Sequence, residues 1–300
     1  MISCMLHIFY RYEWWWGYQT WVWIAFAIWI FDQFLARPLR LMRNGVQRAH
    51  VTVIDGDYLQ DTISRVRAKG HVYVYFPSLT WRVWENHPFS VAGYPPGGAY
   101  SPVLMMDLEL HEREADVAGL VIFVRRHGGL ASLLATSNSD SGIPVLIEGS
   151  YGGHTSVIRS CLPEPSIEYP NIICIAGGVG ISGVLPCLDI PPSLTNLECK
   201  QKLLWGVRTE PLVEAVRNFV HRVTESADGR EFWNNFEVDI TVAKRFDINT
   251  TLQKELRGVV GGTKVIVCGP PEMADDVRVS VTRPGKQGFV IKLVEEIFVL

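Results

Sequence analysis

The sequence is poor in cysteine and has no long run of positive charge. Its six cysteines form no C-x-x-C pair, and the formal net charge of its 300 residues is −3. The cysteine spacing argues against a zinc site or a disulfide framework, and buried thiols in a reducing compartment fit it better. The charge argues against nucleic-acid binding. We also find no internal repeat and no low-complexity tract.

Hydrophobic residues are abundant, at 48% of the chain, and their excess lies near the N-terminus. Residues 14–31 contain no charge and are rich in tryptophan, which predicts a single transmembrane helix. Four arginines follow: Arg37, Arg40, Arg43 and Arg48. The positive-inside tendency makes this end cytoplasmic. A cleaved signal peptide is the alternative, but it would need a basic n-region and an A-x-A-like site, and the sequence has neither.

Residues 44–142 contain short β-rich stretches separated by glycine, proline and aspartate, which predicts a small antiparallel β-barrel. The predicted strands are residues 50–54, 62–66, 71–76, 89–92, 103–110 and 120–124. A short helix is expected at residues 129–134.

Residues 143–300 instead alternate between strands and helices, which predicts a doubly wound parallel sheet of the α/β class. The predicted strands are residues 145–147, 172–176, 203–207, 237–242 and 264–268, and the predicted helices are 210–225, 251–256 and 271–281. Ligands of such sheets bind beyond the carboxyl ends of the strands. Three special turns are expected there, at residues 148–152, 177–182 and 268–271.

The turn at residues 177–180 is rich in glycine and follows an apolar strand. Glycine lets a phosphate group approach the backbone, and the N-terminus of the following helix favours its negative charge. The alternative is a tight connection that binds nothing. Such a turn alone is weak evidence for a nucleotide site.

Short motifs support the nucleotide site by their order along the chain. They are His87-Pro88-Phe89-Ser90, Gly149-Ser150-Tyr151-Gly152, Gly177-Gly178-Val179-Gly180-Ile181-Ser182, Leu204-Trp205-Gly206-Val207-Arg208 and Cys268-Gly269-Pro270-Pro271. Preceded by the aromatic helix and its exit at residues 31–37, they resemble the ferric reductase/NADPH oxidase branch of the ferredoxin–NADP reductase superfamily. The resemblance is greatest to fungal ferric-chelate reductases.

The resemblance implies electron transfer from NADPH through FAD to a ferric or cupric chelate. The residues that would bind FAD are His87, Pro88, Phe89, Ser90, Arg125, Gly129, Gly149, Tyr151 and Gly152. Those that would bind NADPH are Gly177, Gly178, Gly180, Ile181, Ser182, Arg208, Gly269 and Pro270, with Lys244 or Arg245 as further partners of the 2′-phosphate. The catalytic positions would be Cys268, Glu296 and Phe298, and no resident metal ligand is predicted.

The chain departs from the family in its membrane region. The family holds two b-type haems through paired histidines on two helices, whereas His7 is the only histidine near the single predicted helix. Haem ligands are therefore expected to be missing from this chain. A truncated gene model, a shortened paralogue and a haem-bearing partner chain all remain open. The expected location is a membrane, the plasma membrane in this family, with both cofactor domains in the cytosol.

Smaller departures affect the flavin site. Ala131 replaces a threonine, Ser150 replaces a proline, and Leu300 replaces a terminal aromatic residue of the family patterns. The loss of that aromatic residue predicts weaker discrimination between NADPH and NADH. Two alternative functions follow from the same residues: an oxidase-type flavoprotein that reduces oxygen, and a degenerate, non-catalytic membrane-anchored protein.

Overall fold

A computed structural model describes residues 18–66, 68, 70–94, 119–137, 141–152, 169–188, 200–220, 222–257 and 259–297. These residues form an N-terminal helix, an antiparallel barrel and a mostly parallel sheet covered by helices. The antiparallel and α/β folds predicted from the sequence are confirmed. The predicted strand at residues 103–110 lies outside the described residues.

The N-terminal helix contains one widened turn. Helix α1 (Tyr18–Phe31) passes through a π-helical turn (Asp32–Ala36) into helix α2 (Arg37–Asn44). Pro38 has no N–H group to donate to the carbonyl four residues earlier, which accounts for the irregular turn. Among the described residues, Thr20–Asn44 is the one helix long and apolar enough to cross a membrane by length and composition.

The barrel is built from six antiparallel strands in the order β4-β3-β6-β1-β2-β5. They are β1 (Val46–Val53), β2 (Tyr58–Ser64), β3 (Gly70–Tyr75), β4 (Asn86–Ser90), β5 (Gly119–Arg125) and β6 (Ile143–Gly152). A bridge between Gly93 and Val121 joins the chain after β4 to β5 and closes the sheet. Helix α3 (Leu130–Thr136) follows β5 at the expected place.

The assignment of β6 is a correction to the sequence prediction. Residues 145–147 were expected in the parallel sheet, but β6 pairs antiparallel with β1 and β3. The turn at residues 148–152 therefore lies within a barrel strand and does not belong to the parallel sheet. The period-2 burial of an antiparallel strand is hidden in the sequence because the intervening positions, Pro144 and Leu146, are also apolar and half-buried. The division into two domains, which the sequence suggested between residues 142 and 143, remains a proposal. Because β6 belongs to the barrel, we place the boundary after Gly152.

The second sheet has seven strands in the order β13-β12-β7-β8-β11-β10-β9. Its strands are β7 (Asn171–Gly177), β8 (Gln201–Val207), β9 (Val223–Glu225), β10 (Glu231–Trp233), β11 (Phe236–Val242), β12 (Thr263–Gly269) and β13 (Ile291–Ile297). Its helices are α4 (Ile181–Leu188), α5 (Glu210–Phe219), α6 (Ile248–Leu256) and α7 (Pro271–Lys286). The pairs from β13 to β11 are parallel. Because α4 and α5 pack into one apolar cluster and α6 and α7 into another, the sheet is covered on both faces.

The helix predicted at residues 210–225 is too long. Helix α5 ends at Phe219, Val220 is extended, and residues 223–225 form the first strand of a hairpin. The N–H group of Gly229 donates to the carbonyl of Ser226 at 2.9 Å, and Gly229 has a φ of 73°. The Asp228-Gly229 pair is a turn signal that the sequence prediction overlooked.

The barrel and the parallel sheet share one apolar cluster. Tyr58, Val121 and Phe123 of the barrel belong to the same cluster as the buried residues of α4 and α5. The Phe123 ring contacts the Phe219 ring edge to face, with centroids 6.0 Å apart. In addition, the Thr209 hydroxyl donates to the Asp55 carboxylate across the two units. Buried apolar surface thus holds the two candidate cofactor regions together.

Candidate functional site

Two of the expected turns meet at the carboxyl edge of the parallel sheet. β7 and β12 are neighbours, with Ala176 opposite Cys268, so the turn at residues 177–182 lies beside the turn that begins at Gly269. From these two strands the sheet continues in opposite directions, to β8 and to β13. This is the topological switch point, where open α/β sheets bind their ligands.

The glycines of the first turn are needed for two different reasons. Gly178 has a φ of +54°, which residues with a side chain rarely adopt. A Cβ atom on Gly180 would lie 2.3 Å from the carbonyl oxygen of Cys268, and one on Gly177 would lie 2.8 Å from Sδ of Met273. Gly178 therefore shapes the turn, while the other two allow it to pack tightly against the neighbouring turn.

A tryptophan from the adjacent strand holds this turn in place. Trp205 is fully buried, and its Nε1 donates a hydrogen bond to the carbonyl oxygen of Gly178 at 3.0 Å. It therefore belongs to the apolar core as well as to the sequence motif. The bond uses a carbonyl acceptor of the turn, whereas a phosphate would accept from its N–H groups.

Behind the turn, helix α4 begins with one apolar and one polar buried residue, Ile181 and Ser182. Ile181 is fully buried in the apolar cluster, so its contribution is to packing. Ser182 is 2% exposed, and its hydroxyl oxygen has no hydrogen-bond partner within the described part of the chain. A buried hydroxyl of this kind at the start of an eight-residue helix fits a phosphate oxygen as its partner.

The expected 2′-phosphate residues lie on the same edge of the sheet. Arg208 follows β8, while Lys244 and Arg245 follow β11, and these two strands are parallel neighbours, with Val207 opposite Val242. All three basic side chains are exposed. The structure therefore brings them to one edge, where they can meet an anion.

Tyr58, which the sequence prediction missed, connects the two halves of the site. It lies opposite Arg125 in the barrel ladder, and its hydroxyl oxygen is 3.6 Å from the place of a Cβ atom on Gly178. Burial raises the pKa of the Tyr58 phenol, and the charges of Arg125 and Arg208 oppose that rise. No sequence signal separates this tyrosine from an ordinary core tyrosine.

The four residues of the β4 motif divide between two faces. His87 and Phe89 lie opposite Val74 and Val72, whose side chains fill the barrel, and Phe89 packs partly against that core. Burial lowers the pKa of the His87 imidazole. By contrast, Pro88 and Ser90 lie opposite Tyr73 and His71, on the outer face.

The β6 motif lies next to that outer face. Gly149 has a φ of +108° in a β-bulge, and a Cβ atom there would lie 2.5 Å from the Tyr151 ring. The Tyr151 ring stacks on His71 with centroids 5.7 Å apart and meets Tyr73 at 5.5 Å. These three residues, which we call the aromatic group, leave ring surfaces beside Ser90 that could contact a flat cofactor. His71 was not predicted.

The remaining predicted residues are less informative. Gly129 begins α3 with a φ of +55°, Gly152 ends β6, and Pro270 precedes α7. The Cα atom of Glu296 lies opposite Cys268 in the ladder between β13 and β12. Phe298 and Leu300 lie outside the described residues.

The chain is similar in sequence and in fold to known oxidoreductases. The profile of the oxidoreductase NAD-binding domain matches residues 174–279. The chain is 24% identical to a probable ferric reductase transmembrane component of Candida albicans, over 89% of this chain and 43% of that protein. It is also 24% identical to ferric/cupric reductase transmembrane component 1 of C. albicans, over 89% and 38% of the two lengths. A ferredoxin NADP+ reductase from Neisseria gonorrhoeae with bound FAD and NADP superposes with a TM-score of 0.54 at 14% identity, over 84% of this chain and 98% of that structure.

The class is defined by the fold: the chain has the ferredoxin–NADP reductase fold, and residues 174–279 match the oxidoreductase NAD-binding domain. Its sequence is similar to those of fungal ferric reductases, as the ordered motifs predicted. The matches support an oxidoreductase with a domain for a nicotinamide cofactor. The chain spans less than half the length of these two curated relatives.

Proposed function

We propose that this chain is the NADPH- and FAD-binding part of a membrane-associated reductase of ferric or cupric chelates. The observation that carries the proposal is the paired turn at the switch point. There Gly178 has a φ of +54°, and the buried hydroxyl of Ser182 has no hydrogen-bond partner among the described residues. Such an edge suits the pyrophosphate of a dinucleotide. The similarity to two ferric reductases supports a metal chelate as the acceptor.

The proposed division of roles follows the two sheets. The turn at residues 177–182 would hold the NADPH pyrophosphate, and Arg208 with Lys244 or Arg245 would meet the 2′-phosphate. Arg125 would hold the FAD pyrophosphate, while Ser90 and the aromatic group would contact the flavin. Bound NADPH and FAD supply hydride transfer and onward single-electron transfer, and the protein supplies position and exclusion of water.

The catalytic residues are proposed on position alone. The buried Cys268 is the last residue but one of β12, beside the glycine turn, and Glu296 lies opposite it in the ladder, so both would be near the nicotinamide. Phe298 completes the proposed set from the sequence pattern. We also propose a membrane location, in which the Thr20–Asn44 helix is the anchor and both cofactor regions lie in the cytosol. A further proposal is a partner chain that carries the haem.

The test is NADPH oxidation by the FAD-loaded full chain, with a soluble ferric chelate or oxygen as acceptor. We expect chelate reduction to dominate. The Gly178→Val variant should retain FAD but lose NADPH oxidation, because its φ of +54° strains any β-branched residue. Gly229→Val is the matched control, since Gly229 has a φ of +73° but lies in the β9–β10 turn.

Three results would contradict the proposal. Equal loss of activity in both glycine variants would show that backbone strain alone is responsible. Faster electron transfer to oxygen than to the chelate would favour the oxidase alternative. Absence of NADPH oxidation with saturating FAD would favour the non-catalytic alternative.

A further inference from the structure

Glu148 lies in β6, beside the last part of the N-terminal helix, and its carboxylate is buried. No role was predicted for this residue from the sequence. It is 2% exposed. Its Oε1 accepts from the Tyr151 hydroxyl at 2.8 Å, and its Oε2 accepts from the Tyr75 hydroxyl at 2.6 Å. The guanidinium groups of Arg37 and Arg40 each lie 3.5 Å from Oε1. Both carboxylate oxygens therefore accept hydrogen bonds, and two guanidinium groups lie close to one of them.

Two arginines of the helix reach this carboxylate, and Arg40 makes further bonds. Its Nη1 donates to the Tyr151 hydroxyl at 2.6 Å, and its Nη2 donates to Oδ1 of Asp32 at 2.7 Å. Asp32 begins the π-helical turn, so the irregular turn supplies the carboxylate that orients Arg40. Two acidic and two basic residues make the group electrically balanced. π-Helical turns often occur at functional positions.

The helix is also fastened to the same strand by its last residue. Nδ2 of Asn44 donates to the carbonyl oxygen of Ile147 at 2.8 Å. Helix α2 therefore contacts two consecutive residues of β6: the backbone carbonyl of Ile147 and the side chain of Glu148. These contacts lie next to the bulge at Gly149, which positions Tyr151.

On the barrel side, the contacts lead directly to the aromatic group. Tyr151, which both Glu148 and Arg40 hold, stacks on His71, and His71 lies opposite Ser90. Burial and the neighbouring carboxylate raise the pKa of Tyr75 to about 12, and the pKa of Tyr151 is also raised by burial and by Glu148. Both phenols therefore stay protonated at neutral pH and act as donors to Glu148.

We propose that Glu148 is a positioning residue that fastens the N-terminal helix to the aromatic group, so that one buried carboxylate sets both the helix exit and the Tyr151 ring. This inference rests on the proposed function to the extent that the aromatic group borders the flavin. It predicts that loss of the Glu148 charge loosens the helix and changes the flavin surroundings together.

The experiment compares Glu148→Gln with Glu255→Gln in the full chain, held in lipid nanodiscs and loaded with FAD. Glu255 is a matched control because it is 5% exposed and pairs with Lys200 and Lys202 at 2.6 and 3.0 Å, away from the barrel. We measure hydrogen exchange of α2 and β6, and the visible circular dichroism of bound FAD. We expect about tenfold faster exchange in α2 and a changed dichroism for Glu148→Gln alone.

A second variant keeps the test informative if Glu148→Gln folds poorly. Tyr151→Phe removes a hydroxyl without leaving a charge unpaired, and it should produce the same two changes with smaller size. Unchanged exchange in α2, or faster exchange with unchanged dichroism, would overturn the proposal. A wild-type chain that retains no FAD would refute the proposed function instead, and exchange in α2 would then decide whether Glu148 fastens the helix.

Discussion

The barrel and the parallel sheet place their candidate residues in different parts of a strand. In the parallel sheet the residues follow the ends of β7, β8, β11 and β12, and all of them reach one edge. In the barrel, apart from Arg125 and Gly129, they lie within β4 and β6, and β3 contributes their neighbours across the ladder. In the parallel sheet, candidate residues come together because neighbouring strands end at the same edge. In the barrel, they come together because the strand register places them opposite or beside one another.

The two regions also differ in whether their buried carboxylates have partners. In the parallel sheet, Glu255 pairs with two lysines. In the barrel, Glu148 is paired, but Asp61 is 2% exposed and its Oδ1 has no partner among the described residues. The barrel therefore contains a destabilising unpaired carboxylate, which has no counterpart in the described part of the parallel sheet.

The largest expected effect concerns Asp61. It lies opposite Val51 and Ile122, and burial raises its pKa from 3.8 to about 7. Between these values the unfolded chain loses the proton while the folded chain keeps it, so stability falls as pH rises from about 4 to 7 and is constant above. We expect a loss of about 4 kcal/mol over this range, which Asp61→Asn removes.

Denaturant unfolding at several pH values measures this effect. Asp239→Asn is the control, because Asp239 is an exposed carboxylate of β11. The same pH profile in wild type and Asp61→Asn would show that Asp61 is not the unpaired group that we describe.

The next largest effect is expected for Gly180→Val, which tests the close contact of the two turns. Its Cβ atom would lie 2.3 Å from the Cys268 carbonyl, so the turns must separate. We expect a loss of about 3 kcal/mol in unfolding free energy together with loss of NADPH binding. Gly285→Ala in α7 meets nothing within 4 Å and should stabilise by about 0.5 kcal/mol. A tolerated Gly180→Val would contradict the turn packing.

A smaller effect is expected for Trp205→Phe, which removes the bond to the Gly178 carbonyl. We expect a loss of about 2 kcal/mol and a KM for NADPH that rises more than kcat falls. Trp233→Phe is a suitable comparison, since Trp233 is equally buried but donates to Glu231. If both variants change the KM equally, the bond to Gly178 does not shape the nucleotide site.

The smallest stability effect is expected for Ser182→Ala. Because the hydroxyl has no partner among the described residues, its removal should change the stability of the cofactor-free chain by less than about 0.5 kcal/mol. NADPH affinity should nevertheless fall about tenfold, as measured by calorimetric titration. Unchanged affinity would remove Ser182 from the proposed pyrophosphate site.

The sequence was most informative in the parallel sheet. Residues 172–176 and 203–207 contain no polar side chain, and residues 264–268 contain only one, Lys264. Each of these stretches lies within the strand that we observe. Because parallel strands end at one edge, the sequence was sufficient to predict that the turns after β7 and β12 lie at the same edge of the sheet.

The barrel was less predictable because its important contacts cross between strands. Nothing local in the sequence shows that His71 lies opposite Ser90, or that Arg40 reaches Tyr151. The same applies to Tyr58, whose contact with Gly178 depends on the packing of the two units. The pairing of β6 was also hidden, since its apolar residues fit either sheet.

The central claim is that one chain positions NADPH and FAD for electron transfer to each other. The most direct test mixes the FAD-loaded full chain with NADPH in the absence of oxygen and follows the visible flavin absorbance in a single turnover. We predict rapid bleaching in the wild type and none in Gly178→Val, which should still retain FAD. Bound FAD that NADPH fails to bleach in the wild type would contradict the account.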